Sequence, residues 1–131
     1  MDKGELVKLR GFLARSFGAD GIKVQPHATR KDAANVAYGE RKLGLLSVDD
    51  EDGDRSFAFE MAIPVGRETL QEYLRRLFDN DKLRIARRAG KRDSVELFNG
   101  EDFLGIISSD DPKGSSHTLQ MAILDFDLED I

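Results

Sequence analysis

The 131-residue chain sets 20 Lys and Arg against 25 Asp and Glu for a formal net charge of −5, and it is 40% hydrophobic and 34% charged. That balance describes one folded domain long enough to bury a core, and it argues against generic nucleic-acid binding. The sequence has no cysteine, which excludes disulfides and thiolate metal sites; with no signal-like core in MDKGELVKLR and no membrane-length apolar run, it is expected to be cytoplasmic.

In chain order, Asp2 and Glu5 have capping-box spacing, and they precede a helix that includes LRGFLARSFGAD (Leu9–Asp20). Short alternating strands follow, marked by Ile22/Val24, Val36/Tyr38, Leu43–Leu46 and Phe57/Phe59/Met61/Ile63. Turn-prone YGER and DGD separate them. A second helix is marked by Leu70, Tyr73, Leu74, Leu77 and Phe78 opposite Glu72, Arg75 and Arg76, with Thr69 and Glu72 as its capping box. Strands then return at Leu83/Ile85, Val95/Leu97, Phe103–Ile107 and Leu119/Met121/Ile123.

The second series repeats the first. LRGFLARSFGAD lines up with LQEYLRRLFDND (Leu70–Asp81), 61 positions on, and DAANVAYGERKLGLLSVDD (Asp32–Asp50) with DSVELFNGEDFLGIISSDD (Asp93–Asp111). After Gly53/Gly114 the offset falls to 60, so that EMAI (Glu60–Ile63) meets QMAI (Gln120–Ile123). The expected fold is therefore α+β, a tandem duplication over residues 1–65 and 66–131. Each repeat is one helix on an antiparallel meander of three to four strands. A half of this size buries too little surface to stand alone, and Pro64–Gly66 leaves no flexible linker. One pseudo-twofold unit is the consequence.

Contacts between the repeats are expected at Phe98 and Phe103, which flank a turn, and at Leu124, Phe126 and Leu128. In that tail the alternation shifts phase, which predicts a bulge near Leu124 that turns it onto the first repeat.

EYLRRLFDN (Glu72–Asn80), KRDSVELFNGEDFLGII (Lys91–Ile107) and LQMAILDFDLED (Leu119–Asp130) resemble a family of small bacterial proteins classed as domain of unknown function 3126. The first repeat matches it more loosely, through DDEDGD and FEMAI. The resemblance implies a small cytoplasmic bacterial protein and brings no activity with it. It also suggests that this chain is a fused dimer of single-copy relatives.

VDDEDGDRS (Val48–Ser56) invites comparison with a calcium loop. From Asp50, however, the glycine falls at the fourth position rather than the sixth, and Met61 stands where a bidentate glutamate is needed. Its twin, SSDDPKGSS (Ser108–Ser116), keeps Asp-Asp and Gly but loses the other acids. A hairpin turn is the expectation, with a divalent ion as the alternative. KLRIARRAGKR (Lys82–Arg92) is wholly basic in its charges. With Arg75 and Arg76 upstream, its Lys82, Arg84, Arg87, Arg88, Lys91 and Arg92 could meet phosphates, although aromatic residues for base stacking are missing from the stretch.

His27 and His117 stand at non-equivalent positions and outside metal-ligand spacing, and no G-x-S-x-G elbow occurs. No catalytic, cofactor-binding or metal residue is assigned. The expected function is a non-catalytic protein-interaction or adaptor module acting as a fused pseudo-dimer, alone or in a higher homo-oligomer. Its partner is a protein and not a membrane; the alternative is nucleic-acid or polyanion binding through the Lys82–Arg92 hairpin.

Overall fold

The computed structural model describes residues 1–50 and 54–131. Helix α1 (Lys3–Phe17) leads into strands β1 (Ile22–Pro26), β2 (Ala33–Tyr38), β3 (Arg41–Asp49) and β4 (Ser56–Ile63). A 3-10 turn (Arg67–Thr69) then opens helix α2 (Leu70–Phe78), followed by β5 (Leu83–Arg88), β6 (Lys91–Asn99), β7 (Asp102–Ser109) and β8 (His117–Leu124), and a last 3-10 turn spans Asp125–Leu128. The eight strands form one antiparallel sheet in the order β1-β2-β3-β4-β8-β7-β6-β5. The class is α+β, as expected.

The sheet is continuous because β4 pairs with β8 in its middle. Their register is reciprocal: Glu60 faces Gln120, its own counterpart in the repeat, while Phe59 faces Met121 and Met61 faces Leu119. At the centre the Gln120 side-chain amide donates to the Glu60 carboxylate at 3.3 Å. Two identical strands paired this way would set glutamate against glutamate, which is repulsive. The duplicated chain holds an amide there instead.

Both helices bury the same stripe, Leu9, Leu13 and Phe17 on α1 and Leu70, Leu74 and Phe78 on α2, each at most 1% exposed. Successive positions one turn apart make that face continuous. The equivalent Phe17 and Phe78 stack with ring centroids 4.4 Å apart, and Phe59 meets Phe17 edge-on at 6.2 Å. The two helices thus share one core with the seam below them.

Gly44 and Gly105 are equivalent, and neither tolerates a side chain. A Cβ on Gly44 would collide with the Glu60 carbonyl oxygen, and one on Gly105 with the Gln120 carbonyl oxygen. Both glycines therefore set how closely β3 and β7 approach the central pair. Bulges between Val36 and Ala37, and between Leu97 and Phe98, sit at matching places in the two halves.

Several details depart from the sequence-based expectation. Asp2 and Glu5 do form a capping box on α1, but Thr69 makes no cap: its hydroxyl bonds back to the Gly66 carbonyl inside the 3-10 turn. The tail does not bulge and continue as a strand. It winds into a 3-10 turn, closed by the Leu124 N–H donating to the Asp127 carboxylate at 2.9 Å. Leu124 and Phe126 consequently stand 43% and 63% exposed, and burial falls to Leu128.

Candidate functional site

The basic segment forms the β5–β6 hairpin, at the sheet edge. Half of the eight cations proposed for polyanion binding are engaged within the fold. Arg75 donates through Nε to the Leu83 carbonyl at 2.7 Å, Arg76 pairs with Glu72 at 2.6 Å, Arg84 donates to the Gly100 carbonyl at 2.8 Å, and Arg88 donates to the Ser94 hydroxyl at 2.9 Å. Lys82, Arg87, Lys91 and Arg92 are exposed and make no side-chain hydrogen bond or ion pair among the described residues. Lys82 precedes β5 and Lys91 and Arg92 begin β6 beyond the turn, at the other end of the hairpin. The basic run in the sequence is therefore two separated groups in space.

The expected inter-repeat phenylalanines behave differently from one another. Phe98 is half-buried; Arg84 lies 4.3 Å above its ring and Phe103 meets it edge-on at 5.7 Å, so its cover comes from its own repeat. Phe103 is 54% exposed. It lines a groove of about 990 Å³ together with Phe12 and Arg15 of α1, Leu45 of β3, Ala58 of β4, Ile106 of β7 and Ala122 of β8. Asp49, Glu60, Asp102 and Asp127 add four carboxylates to that lining. The matching groove in the other half, lined by Tyr73, Leu77, Arg41 and Leu43, is smaller, about 560 Å³. There Arg41 reaches across to donate to the Tyr73 hydroxyl at 2.6 Å.

The large apolar side chains left exposed are Val7, Phe103, Leu124, Phe126 and Ile131. Of these Phe103 lines the larger groove; Leu124 and Phe126 stand in the tail before Asp127, and Ile131 lies against Gly11 of α1, one turn beyond Val7. Leu128 buries itself in the core and ties the tail to the rest of the fold. Sequence reasoning found Phe103 but missed Phe12, which looked like an ordinary position on an amphipathic helix.

The acidic loop lies partly outside the described residues, at 51–53. On its flanks, Arg55 donates through Nε and Nη2 to both carboxylate oxygens of Glu5, at 2.6 and 2.9 Å, and approaches Asp50 at 3.5 Å. Hydrogen bonding from Arg55 holds the Glu5 carboxyl below its ordinary value. In the twin loop, Asp111 accepts from the Ser115 hydroxyl and backbone N–H, which holds its pKa below the ordinary value, and Gly114 takes φ 64°. That is turn chemistry. No cluster of three metal-ligating side chains occurs among the described residues.

The family model for a protein of unknown function, DUF3126, matches residues 5–64 and again residues 67–127. The chain belongs to the DUF3126 family and carries its domain twice. Neither a curated protein nor a solved structure gives a match. The two family matches meet between Ile63, the last residue of β4, and the turn that opens α2. No helix among the described residues is long and apolar enough to cross a membrane.

Proposed function

We propose that this DUF3126 chain is a non-catalytic protein-interaction module, built as a fused pseudo-dimer in which each repeat contributes one helix and a four-stranded meander. The reciprocal pairing about Glu60 and Gln120 and the stacking of Phe17 on Phe78 support the pseudo-twofold reading. The observation that carries the interaction reading is the large groove in which exposed Phe103 stands beside Phe12, Leu45 and Ile106. Apolar side chains gathered at one place on a soluble protein mark a contact surface more often than scattered ones do.

The charge of the groove supports a partner of stated chemistry. Asp49, Glu60, Asp102 and Asp127 face a single Arg15 in its lining, so the fitting segment carries apolar side chains flanked by Lys or Arg. A photo-crosslinking side chain placed at Phe103, with Glu40 as the control position, tests this in the native cell. Discrete protein adducts from position 103 that disappear when Phe12→Ser is added support the reading. Equal labelling from both positions refutes it.

The free Lys82, Arg87, Lys91 and Arg92 favour the second reading, contact with a polyanion. Low-salt filter binding of RNA or DNA decides between the two. Retention abolished by alanine at these four positions would replace the protein-interaction reading.

A further inference from the structure

The two buried polar side chains among the described residues, Ser94 and His117, are 7% and 3% exposed, and both line one cavity of about 260 Å³ in the second repeat. Ser109, Arg67, Arg92, Lys113, Asp93 and Asp111 complete its polar and charged lining. The corresponding places in the first repeat hold Ala33, Phe57, Val48, Leu6, Lys31 and Asp52, of which the first four are apolar. There Phe57 is buried beneath Arg55, whose guanidinium carbon lies 5.4 Å from the ring centroid, and Arg55 is fixed by Glu5. The second repeat has Ser115 in place of Arg55 and Gly66 in place of Glu5, so that cover is gone.

We infer that this cavity is a binding site for a phosphate-sized oxyanion, either inorganic phosphate or the phosphoryl group of a small monoester. Each buried polar group here has one partner within the fold and keeps hydrogen-bonding capacity beyond it. Nδ1 of His117 lies 2.9 Å from the Val65 carbonyl oxygen, which fixes its proton there. That leaves Nε2 of His117 as the ring nitrogen open to a hydrogen bond with a bound phosphate. Ser94 accepts from Arg88, which leaves its own hydroxyl proton to donate. Ser109 donates to the Asp111 carbonyl and keeps an acceptor.

Charge favours an anion. Arg67, Arg92 and Lys113 stand against Asp93 and Asp111 in the lining, and the Asp111 oxygens already accept from Ser115. The volume lies below the roughly 300 Å³ at which pockets for drug-sized ligands begin, so the ligand is small.

The test is an amide-shift titration of the full chain with sodium phosphate, against sodium chloride at equal ionic strength. Saturable shifts confined to Ser94, Ser109 and Lys113–His117 are expected. Arg92→Ala, an exposed change that leaves the core intact, and His117→Phe, which writes in the first repeat's residue, should each weaken binding by about tenfold or more. Thermal melts by circular dichroism establish that both variants are folded. Phenyl phosphate in a parallel titration separates the sources: tighter binding than phosphate assigns a monoester, and weaker binding assigns the free ion. Shifts that do not saturate, or that persist unchanged in Arg92→Ala, overturn the inference.

Discussion

The loop ends of the two repeats solve one packing problem in opposite ways. In the first, an apolar plug at Phe57 is covered by Arg55, itself clamped to Glu5 through two hydrogen bonds. In the second, His117 occupies the place of the plug, Ser115 and Gly66 occupy the places of the clamp, and a polar cavity remains. The strand order is equivalent on the two sides and the chemistry is not. A duplicated fold can thus keep one half for stability while the other departs from it. The helix ends differ in the same spirit: Gly18 closes α1 in the left-handed conformation, and Asp79 does so for α2 at φ 50°.

The strongest test of this comparison acts where the halves agree. Phe17→Ala and Phe78→Ala should each cost about 3–5 kcal/mol in urea unfolding. Because the rings stack on each other, the double variant should fall short of the sum by about 1 kcal/mol. Strict additivity would mean that the repeats do not share this core.

Gly44→Ala and Gly105→Ala come next. Each forces a methyl group into the central strand pair, and a loss of about 1–3 kcal/mol is expected from both. Thermal melts of the two variants should shift alike; a shift in one alone would break the equivalence of the halves.

Glu5→Gln probes a difference. Hydrogen bonding from Arg55 holds the folded pKa of Glu5 below the ordinary 4.5, so its ion pair contributes stability that is fully present above that value and is lost as the pH falls through the folded one. Side-chain exposures of 21% for Glu5 and 38% for Arg55 limit the gain to about 1 kcal/mol or less. Unfolding of Glu5→Gln against the natural chain should differ at pH 7 and converge in acid. The smallest effect is a gain: Asp79→Gly relieves a left-handed non-glycine residue and should add about 0.5 kcal/mol, read as a rise in melting temperature.

Much of this architecture was legible in the sequence because the chain states it twice. The stripes through Leu9, Leu13 and Phe17 and through Leu70, Leu74 and Phe78 carry the helical period, and the offset between the repeats aligns Gly44 with Gly105. The tail was misread for a physical reason. Leu124, Phe126 and Leu128 alternate like a strand, yet Asp127 is placed to accept from the Leu124 N–H, and that local bond favours a tight turn. Thr69 looked like a cap, but a 3-10 turn already meets the need at the start of α2. The cavity was hidden because Ser94, Ser109 and His117 come from three strands, β6, β7 and β8. Only after the one-residue change in offset does His117 align with Phe57 in the repeat, and on its own it is an isolated histidine. The groove was half legible, since hydropathy marks Phe103 as apolar without saying that the fold leaves it uncovered.

The β4–β8 seam has a consequence for how the molecule assembles. Its partners lie on one chain, joined by a span that turns from Ile63 into α2 within a few residues. Two separate domains meeting along such a seam would come apart on dilution; tethered, they meet at an effective concentration set by the connection alone. The seam is thereby insensitive to expression level, and a substitution at Glu60 or Gln120 alters one side of the pair without being copied to the other.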